Sequence, residues 1–146
     1  MGYWQDILDG FIDGSTPEPL VNKKLGLDPA LSEWRPGFVE KRLPIDPELF
    51  HGQALFGGYI ATIADQVLGL AAMTVLEDGK FFGTTNMSIS YLSPVRGDEL
   101  RVAGEVIRQR NKSIYVECTF YVADEIAAKA SATQVVYENK PIEKTS

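Results

Sequence analysis

Histidine and cysteine are nearly absent from this chain of 146 residues, which contains one of each. A single cysteine cannot form an internal disulfide, so the composition favours a protein of the reducing cytoplasm. A single histidine excludes sites that need two, such as the HExxH site of metalloproteases and zinc sites with paired cysteine and histidine ligands. We therefore expect chemistry that uses no metal and no cofactor.

Positive charge is also scarce, because the chain has 14 lysines and arginines against 20 acidic residues and a net charge of -6. Nucleic-acid binding requires a basic surface, so nucleic acid is not expected as a partner. The longest apolar stretch, residues 54–76, has Asp65 and Gln66 at its centre. A central aspartate costs about 3 kcal/mol in a membrane helix, so this stretch predicts a buried helix of a soluble protein and no membrane partner.

The pattern of apolar residues divides the chain into three parts. Residues 1–36 are predicted to form an amphipathic helix, over residues 3–13, and a proline-rich connector that pack on the main domain. Residues 37–138 form that domain, and residues 139–146 form a polar tail. At this length a single domain with its own core is expected.

The main domain combines one long helix with several strands. The helix is predicted over residues 55–76, and it is apolar nearly all round, so it must be covered on most sides. Period-two alternation predicts strands at residues 84–92, 99–108 and 113–122. Residues 38–43, which end before a proline, and residues 126–137, which follow a turn, are predicted to form two further strands. Short turns join the last three strands into an antiparallel meander. The predicted fold class is α+β, with a long central helix wrapped by a curved antiparallel sheet of about five strands.

Asp65 lies in the middle of this helix between apolar neighbours, where a buried carboxylate is costly unless it is paired or has a chemical role. At helical spacing its face consists of small side chains, which are Gly58, Ala61, Thr62, Gly69 and Ala72. This stripe allows another backbone or a slender ligand to approach the acid. Two interpretations stay open: a catalytic acid, or a structural acid hydrogen-bonded by Thr62 or by a loop amide.

A Gly57-Gly58 pair begins the helix. Glycines there give a ligand access to free backbone N–H groups and to the positive end of the helix dipole, a favourable place for a polarised carbonyl or oxyanion. Gly57 and Asp65 are eight residues apart, which is about 12 Å along a helix axis. One carbonyl cannot lie within about 3 Å of both, as acyl transfer requires. If both residues are catalytic, two antiparallel copies of the helix must share their sites in a symmetric dimer.

Three segments carry a family resemblance: FGGYIATIADQVLGLAA, TTNMSISYLSPVRGDEL and RVAGEVIRQRNKSIYVECTFYVAD. Over about residues 38–137 the chain resembles the hotdog-fold thioesterases, most of all the PaaI-like branch related to 4-hydroxybenzoyl-CoA thioesterase. The resemblance implies a hotdog fold and hydrolysis of acyl-CoA thioesters. It implies that the Gly57 N–H polarises the thioester carbonyl and that Asp65 is nucleophile or general base. It also implies a water-orienting hydroxyl at the start of the next strand, approximately at Thr84, with Thr85 adjacent.

Two positions depart from that branch. Phe56 replaces the histidine of its His-Gly-Gly helix start, and Phe50 and His51 occupy the place of an Asn or Gln that precedes the glycine by six or seven positions. The Phe-Gly-Gly start is similar instead to that of acyl-CoA thioesterase II. His51 and Gln53 are the candidates for the missing polar contact, although His51 also fits an ordinary turn histidine. The residues assigned to substrate binding are therefore Gly58, His51, Gln53, Phe56, Thr84 and Thr85.

The expected function is hydrolysis of acyl-CoA by a homodimer or tetramer, in which Asp65 activates water or attacks the carbonyl directly through an anhydride. Two alternatives stay open. Because of the departures at Phe50 and Phe56, one alternative is a non-catalytic hotdog domain that binds acyl-CoA or has a regulatory role. An enoyl-acyl hydratase or dehydratase would pair an acid with a catalytic histidine, for which His51 is the single candidate. The sequence determines neither the acyl group nor the carrier, CoA or acyl-carrier protein.

Overall fold

A helical N-terminal part precedes a large antiparallel sheet and one long helix in the computed structural model, which describes residues 2–138. The helices are α1 (Tyr3–Asp13), α2 (Leu20–Lys24) and α3 (Gly57–Met73), and a single 3-10 turn covers Pro47–Leu49. The strands are β1 (Glu33–Arg35), β2 (Phe38–Pro44), β3 (Phe50–His51), β4 (Ala54–Leu55), β5 (Phe81–Tyr91), β6 (Glu99–Gln109), β7 (Ser113–Val122) and β8 (Glu125–Tyr137). The polar tail predicted for residues 139–146 lies outside the described residues.

Six strands form one antiparallel sheet in the order β1-β2-β6-β7-β8-β5, and β3 pairs separately with β4. Short turns join β6, β7 and β8, so the predicted meander is confirmed. The predicted α+β fold is also confirmed, but the sheet has six strands rather than five. The additional strand, β1, has three residues, too few for period-two alternation to be recognised.

Helix α3 packs across the inner face of the sheet. Its buried side chains are Ile60, Ile63, Ala64, Val67, Leu68, Leu70, Ala71, Ala72 and Met73. The helix lies close to β6 at Gly104, where a Cβ atom would lie 2.8 Å from the Val67 side chain of α3 and 3.0 Å from the Val39 side chain of β2. Glycine is therefore required at this position, because a side chain would push the helix away from the sheet.

Helix α1 occupies the predicted residues and is tied to the far end of α3. The Trp4 indole Nε1 donates a hydrogen bond to the Lys80 carbonyl at 2.8 Å, and Gln5 Nε2 donates to the Met73 carbonyl at 2.9 Å. The connector after α1 contains α2 and β1, where the sequence predicts only a loop. Both elements are short, so local periodicity gives no signal for them.

The rest of the chain covers most sides of α3, as its apolar sequence predicts, but leaves one face open. Gly58 and Asp65 are exposed, and Ala61 and Thr62 are half-buried. We call these four residues the open stripe of α3. The expected burial of Asp65 is therefore wrong for the single chain, because the small side chains around it are not packed against another element. No helix within residues 2–138 is long and apolar enough to cross a membrane.

Candidate active site

Asp65 is held by a side chain of the neighbouring strand. Its Oδ1 accepts a hydrogen bond from the Thr84 hydroxyl of β5 at 3.4 Å. Thr62, the structural partner considered from the sequence, donates instead to the Gly58 carbonyl at 2.9 Å. An exposed carboxylate with one such donor keeps acceptor capacity for a water molecule or a substrate.

Thr84 lies next to a β-bulge. The strand register pairs Thr84 with Gln134 and then Asn86 with Thr133, so Thr85 is the extra residue in β5. Thr85 is exposed, and its hydroxyl donates to the Thr133 carbonyl at 3.3 Å. A bulge re-aims the side chains on either side of it, and bulges are common beside active sites.

The bulge decides which threonine faces the acid. Before it, Phe82 and Thr84 face the helix and line a cavity that also includes the acid. After it, Met87 and Ile89 pack on the core. Regular alternation places Thr85 on the same face as Met87 and Ile89. Because the bulge shifts this parity by one residue, Thr84 lines the cavity beside the acid and Thr85 does not.

Gln134 of β8 lies behind Thr84 and is fully buried. Its Oε1 is 2.9 Å from Thr84 Oγ1, and its Nε2 has no hydrogen-bond partner among the described residues. Sequence reasoning misses this residue. The sequence does contain a signal for it. The alternate residues that precede it on the inner face of β8, Ala128, Ala130 and Ala132, are all small and apolar, and the polar Gln134 interrupts this pattern.

A cavity of about 440 Å³ opens beside Asp65. Its walls come from α1, the connector, α3 and β5. The lining is mainly apolar and consists of Trp4, Ile7, Phe11, Pro19, Gly69, Leu70, Met73 and Phe82, with Asn22, Asp65, Gln66 and Thr84 as the polar members. Small-molecule sites have volumes of roughly 300 to 1,000 Å³, so this one is large enough for an acyl group. None of its lining residues is basic, which suits an uncharged group.

Buried Lys41 of β2 fixes the connector that forms part of this wall. Its ammonium group donates to the carbonyls of Leu27 and Pro29, both at 2.5 Å, and Gln66 Nε2 donates to the Leu27 carbonyl at 3.3 Å. Burial lowers the pKa of Lys41 to about 8, because a low-dielectric surrounding disfavours its charged form. The carbonyl groups around the ammonium partly offset that cost and hold the chain in place.

The other end of α3 presents the predicted glycine pair. Phe56, which has an extended conformation, precedes the helix, and its carbonyl accepts the first N–H bonds of the helix. The N–H groups of Gly57 and Gly58 therefore have no acceptor within the helix. The Tyr91 hydroxyl at the end of β5 donates to the Gly57 carbonyl at 2.8 Å and anchors this helix start.

A second cavity, of about 490 Å³, adjoins the helix start. It is lined by Glu48, Leu49, Phe50, His51, Phe56, Gly58, Tyr59 and Thr62. The rings of His51 and Phe56 meet edge to face with centroids 6.1 Å apart. The predicted substrate-binding residues His51, Phe56 and Gly58 therefore lie together here. Gln53 is exposed in the turn between β3 and β4 and is not among the lining residues.

The two predicted catalytic residues do not meet within one chain. Gly57 is the first residue of α3, and Asp65 follows it on the same helix after about 12 Å of axial rise. The cavity beside Asp65 and the cavity beside Gly58 share no lining residue. One chain therefore offers an acid with an apolar cavity, and, separately, a glycine helix start with another cavity.

Comparison with known proteins identifies the family of this chain. Residues 52–129 match the family model of the thioesterase superfamily. A Saccharolobus solfataricus protein with a provisional esterase name is 33% identical over 90 residues, which are 61% of this chain and 64% of that relative. The match thus spans less than two thirds of the relative's length.

Solved structures share the fold. A phenylacetic acid degradation-related protein from Ralstonia eutropha JMP134 is 22% identical, with a TM-score of 0.77 over 87% of this chain and 97% of that one. A Streptococcus mutans UA159 protein solved with acetyl CoA bound is 26% identical, with a TM-score of 0.67 over 75% of this chain and 89% of that one. The resemblance to hotdog thioesterases noted in the sequence is confirmed at the level of the superfamily.

Proposed function

We propose that this chain, which belongs to the thioesterase superfamily, hydrolyses acyl-CoA thioesters with Asp65 as the catalytic carboxylate. The observation that carries the proposal is the position of Asp65 and Thr84 at the edge of a mainly apolar cavity of about 440 Å³. Such a cavity accepts an acyl group and leaves its thioester carbon beside the acid. The acetyl CoA bound to the Streptococcus mutans protein supports CoA as the carrier.

In the proposed reaction, the Asp65 carboxylate takes a proton from a water molecule as the water oxygen attacks the thioester carbonyl carbon. The C–S bond then breaks, and the proton passes from Asp65 to the leaving CoA sulfur. The Thr84 hydroxyl holds one carboxylate oxygen and leaves the other to act on water. Direct attack by Asp65, with an anhydride that water then hydrolyses, is the variant of this mechanism.

The carbonyl oxygen needs a hydrogen-bond donor as negative charge develops on it, and the Gly57 N–H is suited to that role. Since about 12 Å separates Gly57 from Asp65 on one helix, the donor comes from a second copy of the chain. Two antiparallel α3 helices related by a twofold axis place each acid near the other helix start, so a homodimer contains two shared sites.

Three surface features support that homodimer. The open stripe of α3 consists of small residues that allow a second helix to approach. Strand β5 is eleven residues long and lies at the edge of the sheet, and an unpaired edge of that length is usually covered. Phe56, Tyr91 and Leu92, near the helix start, are each more than half exposed, at 52%, 52% and 60%. Burial of these apolar groups would stabilise the dimer.

The proposal is tested by a thiol-release assay with acyl-CoAs from acetyl to palmitoyl, together with phenylacetyl- and benzoyl-CoA. We expect turnover by the wild type and a loss of about 100-fold or more in Asp65→Asn, the scale of a lost general base. Asp124→Asn is the matched control, because it removes an exposed carboxylate in the β7–β8 turn. Light scattering measures the expected dimer mass in parallel.

The possible outcomes separate the alternatives. Full activity in Asp65→Asn would leave the fold intact but contradict the mechanism. If no thioester is hydrolysed while acyl-CoAs still bind, the result would favour a non-catalytic binding domain, the alternative suggested by Phe50 and Phe56. A monomeric protein with full activity would contradict the shared site.

A further inference from the structure

We propose that helix α1 limits the length of the acyl group, with Trp4 as the end wall that restricts linear chains to about eight to ten carbons, an inference that rests on the proposed thioesterase function. Trp4, Ile7 and Phe11 follow one another on one face of α1, and all three line the cavity beside Asp65. Helix α1 lies outside residues 52–129, the part that matches the family model. This wall of the cavity therefore comes from the chain's own N-terminal part.

The cavity extends along α3 away from the acid. Asp65, Gly69 and Met73 follow one another at intervals of about one turn, and all three line it. Strand β5 runs beside them in the opposite direction, because Thr84 contacts Asp65 and the Phe82 ring would lie 3.4 Å from a Cβ atom at Gly69. From Asp65 to Met73 the axial rise of the helix is about 12 Å.

Trp4 lies at the end of the cavity opposite to the acid. The next residue, Gln5, donates a hydrogen bond from its side chain to the Met73 carbonyl at 2.9 Å, so the start of α1 lies beside Met73. The Trp4 indole Nε1 donates to the Lys80 carbonyl at 2.8 Å, and its ring meets the Phe82 ring edge to face with centroids 6.1 Å apart. These contacts hold the indole in place where a long acyl chain would reach it.

The distance between the acid and the indole determines the chain length. An extended chain advances about 1.2 Å per bond, so about 12 Å corresponds to about ten bonds. Contact with the indole takes up part of this length, which leaves room for about eight to ten carbons. Within the apolar cavity, each added methylene should raise the affinity about 4-fold. A longer chain would have to displace the hydrogen-bonded indole or bend back toward solvent, so this gain should end there.

Two variants that change the length of the cavity in opposite directions test the proposal in a thiol-release assay. We expect wild-type kcat/KM to be highest for octanoyl- or decanoyl-CoA. Trp4→Ala should raise kcat/KM for myristoyl-CoA about 10-fold relative to octanoyl-CoA, because the opened end admits further methylenes. Ile7→Trp, about one turn from Trp4, should favour butanoyl-CoA over decanoyl-CoA by a similar factor. Ile12→Ala is the matched control, because Ile12 is exposed on α1 and is not among the lining residues.

A binding measurement needs no activity. The probes are S-alkyl-CoA thioethers from S-butyl to S-hexadecyl, which the enzyme cannot hydrolyse, and the protein carries 5-fluorotryptophan at its two tryptophans, Trp4 and Trp34. We expect the affinity to rise with chain length up to about S-decyl-CoA and then to stop rising. The 19F signal of Trp4 should move only with chains of about octyl length or longer. Trp34 is not among the lining residues, so its signal should stay unchanged, and Trp34→Phe assigns the two signals.

The outcomes separate this inference from the proposed function. An affinity that keeps rising to S-hexadecyl-CoA, or a Trp4 signal that no chain moves, would overturn the inference even if the protein hydrolyses thioesters. The same chain-length profile in the wild type, Trp4→Ala and Ile7→Trp would also overturn it, and would leave an Asp65-dependent thioesterase intact. The expected binding pattern without any turnover would support the end wall and contradict the proposed catalysis.

Discussion

A methyl group added at Gly69 should make the protein more stable and narrow its acyl site at the same time. Gly69 lies one turn after Asp65 on α3 and lines the cavity beside it. A Cβ atom there would lie 3.4 and 3.5 Å from two carbons of the Phe82 ring, which is ordinary van der Waals contact. The substitution Gly69→Ala is therefore compatible with the packing.

The two effects have separate magnitudes. Glycine in a helix interior costs about 1 kcal/mol relative to alanine, so Gly69→Ala should raise the free energy of unfolding by about 0.5 to 1 kcal/mol and the Tm by about 2–4 °C. The methyl group occupies the space of about one methylene of the acyl chain. Each buried methylene contributes about 0.8 kcal/mol, so kcat/KM for the longest substrates should fall about 4-fold relative to acetyl-CoA. Gly69→Leu should produce a larger shift toward short chains.

Thermal unfolding and a thiol-release assay over an even-numbered acyl-CoA series measure both effects. Gly83→Ala is the control, because a Cβ at Gly83 would contact the Tyr137 ring rather than the cavity, at 3.5 Å from its hydroxyl. An unchanged chain-length profile in both Gly69→Ala and Gly69→Leu would refute the assignment of this cavity to the acyl group. A lower Tm in Gly69→Ala would refute the packing argument.

Three further predictions concern the core. Burial lowers the pKa of Lys41 from 10.5 to about 8, so the unfolded chain binds more protons than the folded chain between these two pH values. The free energy of unfolding should therefore rise with pH over this range, by up to about 3 kcal/mol. Denaturant unfolding at several pH values should show that Lys41→Met lacks this rise. Gly104→Ala should lower the free energy of unfolding by about 1–3 kcal/mol, because its Cβ would lie 2.8 Å from the Val67 side chain; an unchanged urea midpoint would contradict this. Burial raises the pKa of the Cys118 thiol to about 12, so iodoacetamide should modify it only in denaturant, and rapid labelling of the native protein would disprove its burial.

Elements with many repeats of one period could be predicted from the sequence. Helix α1 and strands β6 and β7 have ten or more residues each, and alternating or helical spacing identifies them. Helix α2 and strand β1 have five and three residues, so tertiary contacts rather than local pattern define them. The type of each long element follows from its own sequence, and the existence of the short ones does not.

The residues of the candidate site also differ in how well the sequence predicts them. Asp65 and Gly57 stand out in the sequence because each is unusual for its position in an apolar helix. The bulge at Thr85 does not, since its presence depends on how β5 and β8 pair, and it decides that Thr84 contacts the acid. The exposure of Asp65 is equally hidden, because the sequence of a helix does not say which of its faces the rest of the chain leaves open.

The central claim, that each site takes its acid from one subunit and its helix start from the other, is tested most directly by complementation. Gly57→Pro removes the N–H at the first helical position, where proline is tolerated, and the extended Phe56 before it suits a following proline. Gly57→Ala, which keeps the N–H, is the matched control. Asp65→Asn and Gly57→Pro homodimers should each be nearly inactive.

Mixed refolding of the two variants in equal amounts makes half of the dimers heterodimers, each with one site that contains both Asp65 and Gly57. The account predicts recovery of about a quarter of the wild-type activity in the mixture. A mixture as inactive as its two parents, although heterodimers have formed, would show that each chain needs its own Asp65 and Gly57, and would contradict the shared site.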